Sequence, residues 1–244
     1  MLEGGGLVSI VIRTIAFIFG LGMVGSNTTL ALDSRPAPPS SPATGTATSP
    51  SQLGSNSEYA KWVAKAMNGD ADTDYTALRA SYTKTDNYDP YSADTHALFE
   101  AAWQAVKSND CSVALEKSEA ILKVDFTRIV AHAFEHECYS TAGDAARATR
   151  ELAIARGLAE SLLHSGDGKS LETAYVVVTL NEENFVLSSL GIIPKAQSLV
   201  NKSGHMYDLM QGTDGKTPGQ KGVYFNVDYL FAGLDKQFKH ARVR

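Results

Sequence analysis

The segment HAFEH, residues 132–136, has the spacing His-x-x-Glu-His, which zinc peptidases of the inverted type use. On a helix, His132 and His136 lie one turn apart, so both imidazoles could bind one zinc ion. Glu135 would stand beside the metal as a general base. A third ligand must come from elsewhere, and His205, at the predicted start of a strand, is the histidine with a suitable setting. These residues define one alternative, a metal-dependent hydrolase.

The same segment also fits a helical repeat that needs no metal. Three sets of like residues recur at an offset of 34 residues: Asn109-Asp110 with Gly143-Asp144, Ala114 with Ala148, and Ala97 with Ala131. A 34-residue period of two helices is typical of tetratricopeptide repeats. The period predicts one repeat over about residues 95–128 and a second over about 129–162, with the helices from residue 58 to 83 as a cap.

Within this repeat, His132, Glu135 and His136 fall on an inward helix face where small or apolar residues are expected. We interpret them as a partly buried polar cluster, which Arg79 and Tyr82 are placed to contact. We therefore predict no cofactor, and the metal site remains the alternative.

Two other groups of polar residues are candidates for binding. Lys169 lies within HSGDGKS, residues 164–170, and Glu172 follows it. This segment lacks the first glycine of a phosphate-binding loop and is followed by a predicted strand instead of a helix. Lys169 and Glu172 are expected to line a polar surface. In GHMYDLM, strand alternation directs His205 and Tyr207 to one face, and Met206 and Asp208 to the other.

The two cysteines are predicted to form a disulfide bond. The midpoint between Cys111 and Cys138 falls in the Val124-Asp125 turn between two predicted helices, so an antiparallel hairpin brings the two residues opposite each other. In an exported protein such a pair should oxidise. Two buried free thiols are the alternative.

The N-terminal region predicts export. TIAFIFGLGMVG, residues 14–25, has the length of a signal-peptide core, and Thr29-Leu30-Ala31 offers a cleavage site. We predict a signal peptide over residues 1–31 and no stable membrane insertion after its cleavage; an uncleaved anchor is the alternative. Residues 32–57, rich in Pro, Ser and Thr, predict a disordered linker. One folded domain should follow over 58–244, helical over 58–165 and strand-rich over 166–244.

Composition narrows the class of partner. The chain has 244 residues, of which 43% are hydrophobic and 20% charged, with a net charge of −5. No basic stripe is present, so nucleic acid is not an expected partner.

The pattern of elements predicts an α+β fold. Tetratricopeptide-like antiparallel helix pairs should be followed by a small, mostly antiparallel sheet with one or two helices. The later elements are expected at ETAYVVVT (172–179, strand), a capping box at Thr179–Glu182 (helix to Leu190), a hairpin of QSLV and HMYDLMQ around NKSG, VYFNV (strand) and Asp228 (helix start).

Four stretches, DYTALRASYTKTDNYDPY, GDGKSLETAYVVV, GHMYDLM and VYFNVD, resemble an uncharacterised family of exported bacterial proteins with a domain of unknown function. The resemblance spans about residues 70–228 and implies one domain of helices and strands, but no catalytic residue.

Together these observations favour a non-enzymatic, periplasmic or secreted scaffold that binds a protein or peptide partner of the cell envelope through tetratricopeptide-like helices. The alternatives are the metal-dependent hydrolase and a small-ligand module with a pocket between helices and sheet.

Overall fold

The computed structural model describes residues 57–215, 219 and 221–241, which form eight α-helices and a four-stranded sheet. The helices are α1 (Glu58–Asn68), α2 (Tyr75–Tyr82), α3 (His96–Lys107), α4 (Cys111–Val124), α5 (Ile129–Thr141), α6 (Ala145–Leu163), α7 (Leu180–Ser189) and α8 (Asp228–Ala241). The strands are β1 (Tyr175–Val176), β2 (Ile193–Lys202), β3 (His205–Thr213) and β4 (Lys221–Asn226). The predicted α+β class is confirmed. The predicted signal peptide and the linker before residue 57 lie outside the described residues.

Two helical hairpins, α3–α4 and α5–α6, have equivalent turns at the 34-residue offset. Asn109 and Gly143 both have positive φ, 57° and 75°, a conformation that glycine and asparagine tolerate best. The next residue in each turn caps the second helix: the carboxylate of Asp110 accepts from the Val113 N–H, and that of Asp144 from the Arg147 N–H. The repeated residues therefore end one helix and begin the next in both hairpins.

The predicted disulfide between Cys111 and Cys138 is present. The turn between α4 and α5 brings the two residues opposite each other, as expected. Cys111 is the first residue of α4 and Cys138 lies near the end of α5, and their Cα atoms are 5.2 Å apart. The bond ties the two hairpins together beside a small core cluster between α3, α4 and α5.

The strand order is β1-β4-β3-β2, with β1 parallel to β4 and the other pairs antiparallel. The hairpin of β2 and β3 confirms the prediction around NKSG. β1 is shorter than predicted, because Val178 leaves the ladder and donates its N–H to the Glu182 carboxylate instead of to a strand (2.7 Å). β2 lies at one edge of the sheet.

The main core joins the N-terminal helices, α6, α7 and the inner face of the sheet. Helices α1 and α2 pack on α6. No residue of β2 belongs to either core cluster. None of the helices in the described part of the chain combines the length and apolar character needed to cross a membrane.

Candidate binding site at the edge of the sheet

The polar cluster of HAFEH joins α5 to α6. His132 is fully buried, with Nδ1 2.8 Å from Glu151 Oε2 and Nε2 2.8 Å from the Phe126 carbonyl oxygen. Burial raises the pKa of Glu151, but its bonds with His132 and Arg150 outweigh burial and hold that pKa below its ordinary value. Both ring nitrogens of His132 are therefore engaged by oxygen atoms within the fold.

The other members of the cluster are also engaged in packing. His136 Nδ1 lies 2.9 Å from the Ala148 carbonyl oxygen. Burial, together with the charges of Glu151 and Glu119, raises the pKa of Glu135 to about 8, so this carboxyl carries a proton at neutral pH. Among the residues with described positions, no group of three or more His, Cys, Asp or Glu side chains is arranged to hold a metal ion.

Arg79 does not contact this cluster but pairs with Glu182 in the first turn of α7. Its Nε and Nη2 donate to the two carboxylate oxygens of Glu182, each at 2.7 Å, and Nη2 also donates to the Val176 carbonyl oxygen. Both side chains are 4% exposed. The Tyr82 hydroxyl bonds within its own region, to the Asn87 carbonyl oxygen at 3.4 Å. Arg79 thus links α2 to α7 and to β1, and Tyr82 bonds to the loop that follows α2.

The structure does not bring Lys169, Glu172 and His205 together in one site. Lys169 pairs with Asp167, and Glu172 with Lys202 at the end of β2, all on the surface. His205 Nδ1 lies 2.7 Å from Asp228 Oδ2.

The register confirms the predicted alternation along β3. The rings of His205 and Tyr207 neighbour each other, with centroids 6.5 Å apart. Asp208 lies on the opposite face, which is the inner face of the sheet.

A cavity of about 300 Å³ opens where this inner face reaches β2. Its lining residues come from the sheet, from the starts of α7 and α8, and from the segment before α3: Tyr91, Leu180, Gln197, Leu199, Asp208, Val227, Leu230 and Phe231. A volume of this size is at the lower end of the range for small-molecule sites.

The cavity exists because the covering helices stop short of the edge strand. Leu199 pairs with Asp208, and Asp208 pairs with Phe225, so the three side chains share one face of the sheet. Their exposed fractions are 53%, 6% and 0% from edge to centre. Leu199 is therefore a core-facing apolar residue that the described helices leave about half exposed.

Contacts of the nearby residues Tyr88 and Pro90 hold the segment that carries Tyr91 beside the cavity. The Pro90 carbonyl oxygen accepts from the Leu180 N–H at 2.8 Å, and the Tyr88 hydroxyl donates to the Val178 carbonyl oxygen at 2.7 Å. Gly233 of α8 allows the close approach on the other side, because a Cβ there would lie 2.7 Å from the Tyr88 ring. The segment is thus fixed between α7 and α8.

Asp208, which lines the cavity, and Glu183, a buried residue of α7 whose charge acts on it, both have carboxylate oxygens without partners. Asp208 Oδ2 accepts from Gln197 Nε2 at 2.6 Å, but its Oδ1 has no hydrogen-bond partner, and neither oxygen of Glu183 has one. Burial, then the charges of Asp208 and Glu182, raise the pKa of Glu183 to about 8. Burial also raises the pKa of Asp208, and it outweighs the hydrogen bond from Gln197, which lowers that pKa.

The same two carboxyl groups also affect the pKa of Tyr91, which lines the cavity. Burial and then the charges of Asp208 and Glu183 raise the pKa of Tyr91. Within the described residues, no Lys, Arg or His contributes to the pKa of these three groups. Among the side chains that line this partly apolar cavity, that of Asp208 is the acidic one.

No strand of the described part of the chain pairs with the outer edge of β2. Lys202 pairs with His205 across a two-residue turn in which Ser203 and Gly204 have φ of 55° and 85°, so this pair is hydrogen-bonded. Alternation then directs the N–H and C=O groups of Val200 and Ser198 to β3. Those of Asn201, Leu199 and Gln197 point outward, and no described backbone group bonds to them.

The chain matches the family model "Domain of unknown function (DUF4919)" over residues 52–235, which is more than half of its length. The chain belongs to this family. The match begins just before α1 and ends within α8, so the DUF4919 domain comprises all four strands and every residue that lines the cavity. No curated protein and no solved structure gives a significant match.

The sequence named only Asp208 among the residues of this DUF4919 site. Glu183 follows Glu182 in the first turn of α7, where acidic residues are common because they favour the helix dipole, so it gave no signal. Leu199 was assigned to a strand, but its exposure depends on where the helices end. The one available signal was the acidic residue Asp208 on the apolar side of an alternating strand.

Proposed function

We propose that this DUF4919 protein is an exported, non-enzymatic binding protein that captures an extended segment of a partner protein along β2. The free edge carries the proposal: Gln197, Leu199 and Asn201 present unpaired N–H and C=O groups outward. An added strand would satisfy these groups through main-chain hydrogen bonds, which is the recognition mode called β-augmentation.

The protective features of β2 lie at its ends. Natural edge strands are shielded by proline, bulges and lysine, because a bare edge pairs with other chains. In β2, Pro194 and the irregularity between Pro194 and Ala196 occupy the start, and Lys202 occupies the end. The six residues from Ala196 to Asn201 carry none of these features. This arrangement supports binding of one short strand in a bounded position.

We infer that α3–α6 are two tetratricopeptide-like repeats that support the sheet, and that the peptide site lies at β2 instead of on the helices. The equivalent turns at Asn109 and Gly143 support the repeat assignment. The helical side offers a smaller cavity of about 200 Å³ at Phe99 and Arg128. There the guanidinium of Arg128 already donates to Ser92 Oγ at 2.6 Å, so its charge is engaged within the fold.

Export is part of the proposal and rests on two features. The Cys111–Cys138 disulfide suits an oxidising compartment, and TIAFIFGLGMVG has the length of a signal-peptide core. The periplasm and the extracellular medium both fit, and a bacterial source with a cell-envelope partner agrees with them. Mass spectrometry of the mature N-terminus tests this point: we expect a chain that begins after Ala31, and a chain that begins before Thr14 would contradict it.

Binding at the edge of β2 can be tested by removing one outward backbone N–H group, that of Asn201. A displayed library of random peptides is selected on the wild-type protein, and the enriched peptides are measured against Asn201→Pro and Asn201→Ala. The proline removes an outward N–H without removing a β2–β3 bond, whereas the alanine keeps it. We expect Asn201→Pro to weaken the peptides by about tenfold, the value of one hydrogen bond to the edge, and Asn201→Ala to have little effect. Enrichment of no peptide, or equal binding to both variants, would refute strand capture.

A further inference from the structure

The cavity beside Leu199 has an acidic floor that the fold leaves unsatisfied. Asp208 is 6% exposed and lines the cavity, and its Oδ1 has no hydrogen-bond partner. Glu183 of α7, which is fully buried and whose pKa responds to the charge of Asp208, has none for either oxygen. A buried polar atom without a partner costs free energy, so this arrangement gains when a hydrogen-bond donor enters. The donor that gains most is a cation, because the hydrogen bond is then charge-assisted.

The walls of the same cavity are apolar. Leu180, Leu199, Val227, Leu230 and Phe231 surround the space between the mouth and Asp208. An entering group must therefore have an apolar stem that contacts these walls and a polar head that reaches the carboxylate. The side chains of lysine and arginine combine a hydrocarbon stem with a charged tip. The rings of Tyr91 and Phe231 offer further contact to a cationic head.

The register of an added strand leads a side chain to this place. A residue that pairs directly with Leu199 places its side chain on the same face as Leu199. That face is the one that carries Asp208. One residue of the captured segment is thereby directed toward the cavity while its neighbours point away.

We propose that the cavity is a specificity subsite for one lysine or arginine side chain of the captured strand, held by the Asp208 carboxylate. This inference rests on the proposed capture of a strand at β2. An acidic side chain would be repelled by Asp208, and an apolar one would leave Oδ1 unpaired. The partner is therefore an extended segment with a basic residue at the position opposite Leu199.

The test uses the full-length mature protein and peptides selected from the library described above. We expect the enriched peptides to share a lysine or arginine at one position. Replacement of that residue by norleucine, which keeps the stem and removes the charge, should weaken binding by about tenfold to a hundredfold, the value of a buried charge-assisted bond. Asp208→Asn, which keeps the size of the side chain, should weaken the lysine peptide similarly and leave the norleucine peptide unaffected.

The outcomes separate this inference from the function on which it rests. Peptides that bind wild type and lose affinity with Asn201→Pro, but share no basic residue, would leave strand capture standing and overturn the subsite. Equal binding of lysine and norleucine peptides would overturn it too, whether or not Asp208→Asn folds. A free alkylguanidine that binds the cavity when no peptide does would show a small-cation site and overturn both proposals.

Discussion

Leu199 and Asp208 pair across the β2–β3 ladder, yet Leu199 is 53% exposed and Asp208 is 6% exposed. The difference marks the line at which the helical layer ends and the edge strand projects beyond it. An apolar residue on the core side of a sheet is normally covered. Its exposure beside a free edge is the feature from which strand capture and the basic subsite follow.

The pair of Arg79 and Glu182 should be essential to the stability of the fold. Arg79→Met leaves the Glu182 carboxylate buried without its cation, so we expect a loss of about 3–5 kcal/mol in the free energy of unfolding. Denaturant titration measures it. The control is Lys84→Met, which breaks the exposed pair with Glu58 and should change little. Equal effects of the two substitutions would show that burial of the Arg79 pair contributes nothing.

The buried carboxyl of Glu183 should make stability fall as pH rises. Its folded pKa of about 8 lies above the ordinary value of 4.5, so the folded protein keeps a proton that the unfolded chain loses. The penalty is absent below about pH 4.5 and grows up to about pH 8, by at most about 1.4 kcal/mol per pH unit.

Glu183→Gln removes this contribution. We expect the substitution to lower the slope of the unfolding free energy with pH and to stabilise the protein at pH 8, as measured by urea titration across this range. Glu135, whose pKa is also raised to about 8, should retain its own share of the slope. Glu100→Gln, at an exposed position of α3, is the control and should leave the slope unchanged. A wild-type slope that Glu183→Gln leaves intact would show that Glu183 is ionised in the folded protein.

The disulfide should contribute about 3 kcal/mol, because it closes a loop of 27 residues in the unfolded chain. Reduction by dithiothreitol should lower the unfolding free energy by this amount. The double variant Cys111→Ala/Cys138→Ala should be equally destabilised and should not respond to the reductant. A wild-type protein whose stability is unchanged by complete reduction would contradict this account.

His132 should be a structural residue. His132→Leu removes one of the two side-chain partners of Glu151 and the partner of the Phe126 carbonyl oxygen, so we expect a loss of about 1–3 kcal/mol in unfolding free energy. Metal analysis after dialysis against zinc should find no stoichiometric ion in the wild type. One zinc per chain that disappears in His132→Leu would restore the hydrolase alternative.

Local rules predicted much of this fold. The turns at Asn109-Asp110 and Gly143-Asp144 depend on residues that adopt positive φ and cap the following helix, so spacing alone located both hairpins. The disulfide followed from a different turn, Val124-Asp125, about which α4 and α5 fold back on each other. The β2–β3 hairpin followed from alternation around a short turn.

The candidate site depended on contacts far apart in sequence. Arg79 and Glu182 are separated by 103 residues, and no local pattern indicates that they pair. Different partners also competed for Glu182, which was expected in a capping box with Thr179. Thr179 makes no side-chain cap bond. The Glu182 carboxylate binds Arg79 and the Val178 N–H instead. Which strand the helices leave uncovered is likewise a property of the whole packing.

Hydrogen exchange along β2 tests strand capture most directly. In the free protein, we expect the amides of Gln197, Leu199 and Asn201 to exchange much faster than those of Ser198 and Val200, which bond to β3. A selected peptide should slow the first three and leave the other two unchanged. Peptide binding that leaves Gln197, Leu199 and Asn201 in fast exchange would contradict the account.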